Sequence, residues 1–478
     1  MKLDKFLQDN YNYNPEVKDV LSTYVEQWKS WYKGNVKSFH NYYIYNGKRK
    51  VKQDRYTMNM AKEMSEEWAD ILWSEKCRIS FEDEKAQENA NELIEGLDLY
   101  VLINNALEKA GALGTEATVV SVYDIVENED GMVLDVSEAK TRIDLVDVDW
   151  IFPLSWSNKG ITECAFGSVE YIKGKKHIVL SVHLIDEKSG NYIIKNHLFS
   201  ENNGDLTEVK DVENTLQEFD TKSNVKWFSI FKPLITNNLF SNSPFGIPHY
   251  AKAIDNLKSV DISFDALKNE IKDGRKRTFV RADMFSYDDG EQKLVFDPND
   301  TTVYQLPDGA TKEDLIQSDS DTLRTTQQIE TLNTQLNILG RKCGFGENYY
   351  HFNGQTLQTA TQVISSNSKM FRRKKKLEVG YESSIFDLFN AVAYASSTFG
   401  KYNINAEGLK ITFDDSLIED KESESVRARA EVSAGLKSKV EYRMDIYGET
   451  EEIAKKKITE IEESNPSVKD LLGTNNEE

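Results

Sequence analysis

Three groups of residues in this chain have the types and spacing to meet a phosphate backbone. Lys369, Arg372, Arg373 and Lys376 stand at i, i+3, i+4 and i+7, so a helix would carry four cations on one face. Such a face can contact nucleic-acid phosphates or an acidic neighbour, or it can be a solvated face held in ion pairs. Arg275, Lys276, Arg277 and Arg281 gather where a helical pattern stops. There they either offset the negative end of the helix or line an opening with charge. Between these groups lies a polar loop containing Tyr349, Tyr350, His351 and Phe352. Aromatic rings stack on exposed bases, but duplex DNA keeps its bases inside, which favours packing among loops. Phe352 is then a candidate anchor for the loop base, and Asn348, Asn353 and Gln355 are the candidates for weak backbone contacts.

No constellation in the chain supports bond-making chemistry. Asp144, Asp147 and Asp149 could hold a cation, but their spacing fits no loop motif and suits a strand edge. His177 and His183 fall on one face of an expected strand and read as a surface or core pair. Cys77, Cys164 and Cys343 are odd in number and far apart, which suits neither a disulfide framework nor a zinc site. Cys343 reads as a small buried hydrophobe. The phosphate-binding pattern G-x-x-x-x-G-K-[ST] does not occur, and Gly344-Phe345-Gly346 lacks a third glycine and follows a helix. H-E-x-x-H and G-x-S-x-G are also missing. The expectation is a protein that is no enzyme, with no catalytic residue, metal or cofactor.

Composition narrows the class further. The 478 residues include 59 Lys+Arg and 80 Asp+Glu, a formal net charge of −21. That balance argues against a conventional duplex-DNA binder, which needs a basic face to release counterions. It is compatible with a protein that encloses DNA without gripping it, and equally with acidity that keeps a large protein in solution. Hydrophobic residues make up 39% and aromatics 11%, enough for a substantial core. No apolar run approaches the roughly 20 residues of a membrane span. The start, Met1-Lys2-Leu3-Asp4-Lys5-Phe6, has no apolar signal core. A soluble, intracellular protein is expected.

Periodicity then gives the elements that must position these residues, and they are α+β. The first hundred residues read as helical, with Val17–Tyr32, Asn59–Leu72 and Leu97–Ala110 as the periodic stretches. From Ala117 to Thr236 the texture is β: Thr118–Val126, Arg142–Phe152, Ile161–Ile172, His177–Ile185, Tyr192–Phe199 and Val225–Phe231. Apolar residues from Ile247 to Ile271 step by three or four, predicting one helix of roughly 40 Å that ends at Gly274. Short strands follow at Thr278–Val280, Lys293–Phe296 and Thr301–Leu306. A second helix carries Ile329, Leu332, Leu336 and Leu339, closed by Gly340 and Gly344. Thr359 and Gln362 have capping-box form and open a helix of roughly 50 Å to Ala395, with Gly380 permitting a kink. The acidic tail reads as Ser423–Ala434, then Ser438–Tyr447 behind a Ser438/Glu441 capping box, then Thr450–Glu463.

This order resembles the portal proteins of tailed double-stranded DNA bacteriophages, in the branch found in long-tailed phages of Gram-positive hosts. Three stretches carry the resemblance. The first is Ser243-Pro244-Phe245-Gly246-Ile247, leading into Ala253-Ile254-Asp255-Asn256-Leu257-Lys258. The second is Phe352-Asn353-Gly354, followed by Thr359-Ala360-Thr361-Gln362-Val363-Ile364-Ser365. The third is Gly435-Leu436-Lys437-Ser438-Lys439, with Tyr447-Gly448 and Glu451-Glu452-Ile453-Ala454 behind it.

The resemblance implies a portal fold: an α/β wing (1–243), stem helices (244–274 and 322–343) and a small β-containing clip (275–321). It also implies a tunnel loop (344–358), a long kinked tunnel helix returning to the wing (359–413), and a helical crown with an acidic tail (414–478). It implies a ring, usually of twelve subunits, at one capsid vertex of the virion, assembled in the host cytoplasm. Double-stranded DNA would pass through without sequence specificity, driven by a separate large terminase. Head-tail adaptors, major capsid protein and scaffold would be the other partners, with no membrane. The tunnel loop would present Asn348, Tyr349, Tyr350, His351, Asn353 and Gln355 to DNA. Twelve copies would carry a formal charge of about −252, and negative walls let DNA slide. The alternatives are another head or neck assembly protein, such as an adaptor or connector, and a nucleotide- or metal-dependent enzyme with an unrecognised motif.

Overall fold

The computed structural model describes residues 2–45, 47–123, 126–127, 133–135, 139–172, 174–202, 205–209, 217–274, 277–280, 286–288, 293–295, 303–305, 316–319, 323–352, 360–399, 404, 406–414, 428–447 and 451–464. They form two compact units, Met1–Gln355 with Lys369–Phe413, and Thr356–Ser368 with Asp414–Glu478.

The first unit opens with helices α1 (Leu3–Tyr11), α2 (Glu16–Tyr32) and the short α3 (Lys37–His40). Strands β1 (Asn41–Tyr45) and β2 (Lys50–Asp54) then make an antiparallel hairpin, so the expectation of an all-helical first hundred residues is corrected here. Helix α4 (Met60–Leu72) buries Met60, Met64, Trp68 and Leu72, one side chain per turn. Strand β3 (Arg78–Ser80), α5 (Glu84–Gly96) and α6 (Leu99–Leu113) follow. The Asp83 side chain accepts from the Ala86 amide and caps α5.

Antiparallel sheets come next. Strand β4 (Glu116–Tyr123) is followed by the short pair β5 (Val126–Glu127) and β6 (Val133–Asp135), then β7 (Lys140–Asp147) and β8 (Ile151–Ser157). The expected single run Arg142–Phe152 is thus broken by a 3-10 turn at Val148–Trp150. Strands β9 (Gly160–Ile172), β10 (Lys175–Ile185), β11 (Tyr192–Asn202) and β12 (Asp205–Val209) continue the sheet. Its order is β12-β11-β10-β9-β8, and β13 (Glu218–Asp220) pairs with β11. Phe152, Ala165, Leu180, Val182 and Phe199 on this sheet pack against Phe6 and Leu7 of α1. Strand β14 (Phe228–Phe231) joins β4 and β7 in a second sheet.

Helix α7 (Ile254–Asp273) is shorter than its apolar stepping predicts. Ile247 and Tyr250 are buried but precede it in non-helical backbone around Pro248, so helical spacing continues where the helix does not. Strands β15 (Arg277–Val280), β16 (Ser286–Asp288), β17 (Lys293–Val295), β18 (Val303–Gln305) and β19 (Ile316–Asp319) follow. Strand β15 lies parallel to β18 and antiparallel to β19, while β16 and β17 form a hairpin.

Helix α8 (Thr325–Cys343) packs on α7 and runs straight through Gly340, ending at Gly344. Helix α9 (Ala360–Thr398) is continuous over 39 residues. At Gly380 an added Cβ would stand 2.9 Å from Leu234 Cβ, so close approach of the 232–235 segment explains that glycine. Strand β20 (Lys410–Thr412) returns to pair with β3.

The second unit contains a helical stretch at 428–433, then α10 (Lys439–Tyr447) and α11 (Glu451–Ser464). The Ser438 amide donates to Glu441 Oε2 at 2.7 Å and the Glu441 amide donates to Ser438 Oγ at 3.1 Å, the reciprocal capping box expected there.

Candidate nucleic-acid interface

The loop begins where α8 stops. Gly344 has φ +100°, a left-handed conformation that closes a helix at no steric cost only for glycine. An added Cβ there would lie 2.9 Å from Arg373 Cγ and 3.3 Å from Trp68 Cζ2. Arg373 of α9 therefore crosses the end of α8 in direct contact. Lys369, one turn earlier, donates from Nζ to the Arg341 carbonyl at 2.6 Å. Both cations sit at the carbonyl end of α8, where the helix dipole favours positive charge. Burial holds the Arg373 guanidinium below its ordinary pKa, and its Nε has no hydrogen-bond partner. Arg372 and Lys376 are exposed and have no ion-pair partner among the described residues. The four-residue face is thereby split, two cations serving α8 and two facing outward.

After Gly344 the chain folds back onto its own unit. Phe345 is fully buried and lies 4.8 Å from the Trp68 ring and 4.9 Å from Tyr349. Tyr349 donates its hydroxyl to Glu67, and Tyr350 packs 5.1 Å from Phe345. Burial, reinforced by Glu67, pushes both phenols far above the ordinary tyrosine range. Asn348 has φ +58° and exchanges two hydrogen bonds with Asn337 of α8, at 3.1 and 3.2 Å. The Phe352 amide donates to Asn333 Oδ1 at 2.8 Å, which ties the loop down one turn further back along α8. Asn348, Tyr349 and Tyr350 thus hold the loop to its own subunit, while His351 and Phe352 are exposed.

Asn353 and Gln355 lie outside the described residues, as do Arg275, Lys276 and Arg281. Arg277 opens β15. Cys343 is buried, which pushes its thiol up to about 12. Asp144 pairs with Arg142 at 2.6 Å, Asp147 with Lys109 at 2.8 Å, and Asp149 with Lys29. Among the described residues no group of carboxylates, histidines and cysteines is placed to hold a metal. No helix among them is long and apolar enough to cross a membrane.

Two side chains near this site have a role that the sequence does not show. Lys374 is fully buried and ion-paired with Glu378, which is itself buried and also bound by Lys375 at 3.2 Å. The buried stripe of α9 runs Met370, Lys374, Leu377, Tyr381, so a lysine takes a position whose spacing calls for an apolar residue. Trp68 was legible only as a core residue of α4, without its contact to the loop.

The model of the family described as phage portal protein, SPP1 Gp6-like, matches residues 18–466. The chain belongs to that family. It is one of structural, generally non-enzymatic capsid portal proteins that assemble as oligomeric rings in the virion, and in this coarse sense the chain is a capsid portal protein. The match takes in α2 to α11, and with them the loop and the basic residues around it. No curated protein matches the chain. A chain from a solved structure, "Virion of native gene transfer agent (GTA) particle", is similar at 11% identity and a TM-score of 0.33, over 81% of this chain and 88% of that chain. A likeness that distant carries no argument.

Proposed function

We infer that this portal protein forms the ring-shaped channel at one capsid vertex through which a terminase packages double-stranded DNA and through which the DNA later leaves. The observation that carries this reading is the family match across residues 18–466. In this reading 1–243 and 359–413 are the wing, 244–274 and 322–343 the stem, 275–321 the clip and 414–478 the crown. The ring contains twelve subunits, with terminase and then head-tail adaptors docking on the clip. Capsid and scaffold proteins surround the wing during assembly in the host cytoplasm.

The charge distribution fits conduction better than gripping. A wall with a net charge of −21 per subunit gives no counterion-release drive for tight binding. DNA then moves past a few exposed groups: His351 and the Asn353 and Gln355 positions on the loop, with Arg372 and Lys376 as isolated cations on α9. Arg275, Lys276, Arg277 and Arg281 are the corresponding cations at the junction of stem and clip. The P-loop missing from the sequence agrees with a motor that resides in the terminase.

The test is packaging by capsids assembled with and without this protein, supplied with the matching terminase, ATP and linear duplex. Nuclease-protected DNA should appear only with the portal protein present. Equal protection in its absence would contradict the reading.

A further inference from the structure

The outer end of strand β1 is bare on both faces. Tyr43, Ile44 and Tyr45 are consecutive and 65%, 49% and 66% exposed, so neither side of β1 is covered at that end. Among the described residues β1 and β2 pair only with each other, and such a pair has little stability of its own. It is held at its base instead. His40 Nε2 meets Asp261 Oδ2 of α7 at 3.1 Å, while the Met58 and Tyr56 amides donate to Asp261 and Asp265 at 2.9 and 3.2 Å. Arg55 donates to the Phe39 carbonyl at 2.7 Å. The outer half carries Lys48, Arg49, Lys50 and Lys52, all exposed, in a chain of net charge −21.

Opposite chemistry lines α5. Glu84, Glu88, Glu92 and Glu95 fall at i, i+4, i+8 and i+11, one face of the helix, and all four are exposed. Among the described residues none of the four has a side-chain partner. Like charges at this spacing work against the helix unless cations cover them.

We propose that the hairpin is an arm that docks on the α5 face of a second copy of this chain. The inference rests on the ring reading above. A closed ring needs two different, complementary patches on each subunit, one to give and one to receive, and the hairpin and α5 supply such a pair. The charges set partner and register. Tyr43, Ile44 and Tyr45 supply the aromatic and apolar area that interfaces concentrate.

The test uses full-length protein and three variants: Lys48→Glu/Arg49→Glu/Lys50→Glu, Glu88→Lys/Glu92→Lys, and the two sets combined. Native mass spectrometry and sedimentation in about 0.1 M salt, where surface pairs still act, read the assembly. Each set alone should raise the concentration for half-assembly about tenfold, and the combined set should restore it. Wild type and both single sets assembling alike would overturn the arm while leaving the ring intact. So would a combined set no better than the weaker single set. A hairpin variant that keeps its ring but loses affinity for a short DNA duplex would overturn it in favour of a nucleic-acid contact. Wild type that stays monomeric at every concentration and salt would overturn the ring reading itself, and the arm with it.

Discussion

Gly114 and Gly246 meet backbone to backbone. A Cβ on Gly246 would lie 2.4 Å from the Gly114 carbonyl oxygen, and one on Gly114 would lie 2.6 Å from the Gly246 carbonyl oxygen. The Gly246 amide donates to Thr115 Oγ1 at 2.9 Å, and the Tyr250 hydroxyl donates to the Ala112 carbonyl at 2.7 Å. The Ser243–Ile247 stretch, singled out in the sequence for its resemblance, therefore seats the approach to α7 against the end of α6.

Alanine at either glycine should cost about 3 kcal/mol, since backbone rather than a movable side chain blocks the new methyl group. The pair should be strongly non-additive, because the first substitution already parts the two segments. Denaturant unfolding of both single variants and the double variant checks this. Losses that simply sum would mean the segments do not share one contact.

The buried pair on α9 should show the asymmetry of internal charges. Lys374→Met alone leaves Glu378 buried beside Lys375, and Glu378→Leu alone leaves Lys374 fully enclosed. The second should cost about 4 kcal/mol. The double variant Lys374→Met/Glu378→Leu should recover most of that loss. Thermal unfolding of the three variants gives the comparison, and a double variant as weak as Glu378→Leu would refute it.

Acid sensitivity follows from two enclosed histidines. Burial pushes His183 down to about 3, and burial with the nearby Arg373 does the same to His249. Each stays neutral when folded, while the unfolded chain takes up a proton below about 6.5. Each contribution is therefore complete above about pH 6.5 and lost as pH falls toward 3, at about 1.4 kcal/mol per pH unit. His183 lies between the Phe166 and Phe228 rings, at 5.4 and 5.3 Å, so His183→Phe should fit. Its stability should fall less steeply between pH 6.5 and 5 than that of wild type. Parallel curves would contradict the assignment.

Asp261 tests how the hairpin is held. The Val36 amide donates to His40 Nδ1 at 2.9 Å, so the ring carries its proton on Nε2 and donates to Asp261. Thr57 Oγ1 and the Met58 amide donate to the same carboxylate at 3.0 and 2.9 Å. Asp261→Ala leaves three donors unmet, worth about 3 kcal/mol. Amide hydrogen exchange should speed up across residues 41–59 and much less in α8. Unchanged protection there would show that the hairpin is anchored elsewhere.

Local signals were legible in the sequence, and tertiary exceptions to them were not. The Ser438/Glu441 box could be read because both hydrogen bonds span three residues. The stretches around α2, α4, β10 and α8 announced themselves through one buried face each, and β9 through a continuous run of small and apolar residues. The β1–β2 hairpin did not, because β1 is exposed on both sides at its outer end and β2 alternates only between exposed and half-buried residues. Lys374 was hidden for a related reason: with Glu378 four residues on, it looks like any surface ion pair. In the loop, residue type favoured packing among the aromatics, and only the resemblance turned Tyr349 and Tyr350 toward DNA. Their partners Glu67, Phe345 and Trp68 come from segments that only the fold brings together.

The ring is read most directly by native mass spectrometry of the purified protein, with negative-stain images of the same sample. Twelve copies of the 54.8 kDa chain give about 658 kDa, and a closed ring with a central hole at or near that mass is expected. A monomer that persists at high concentration across a range of salts would contradict it.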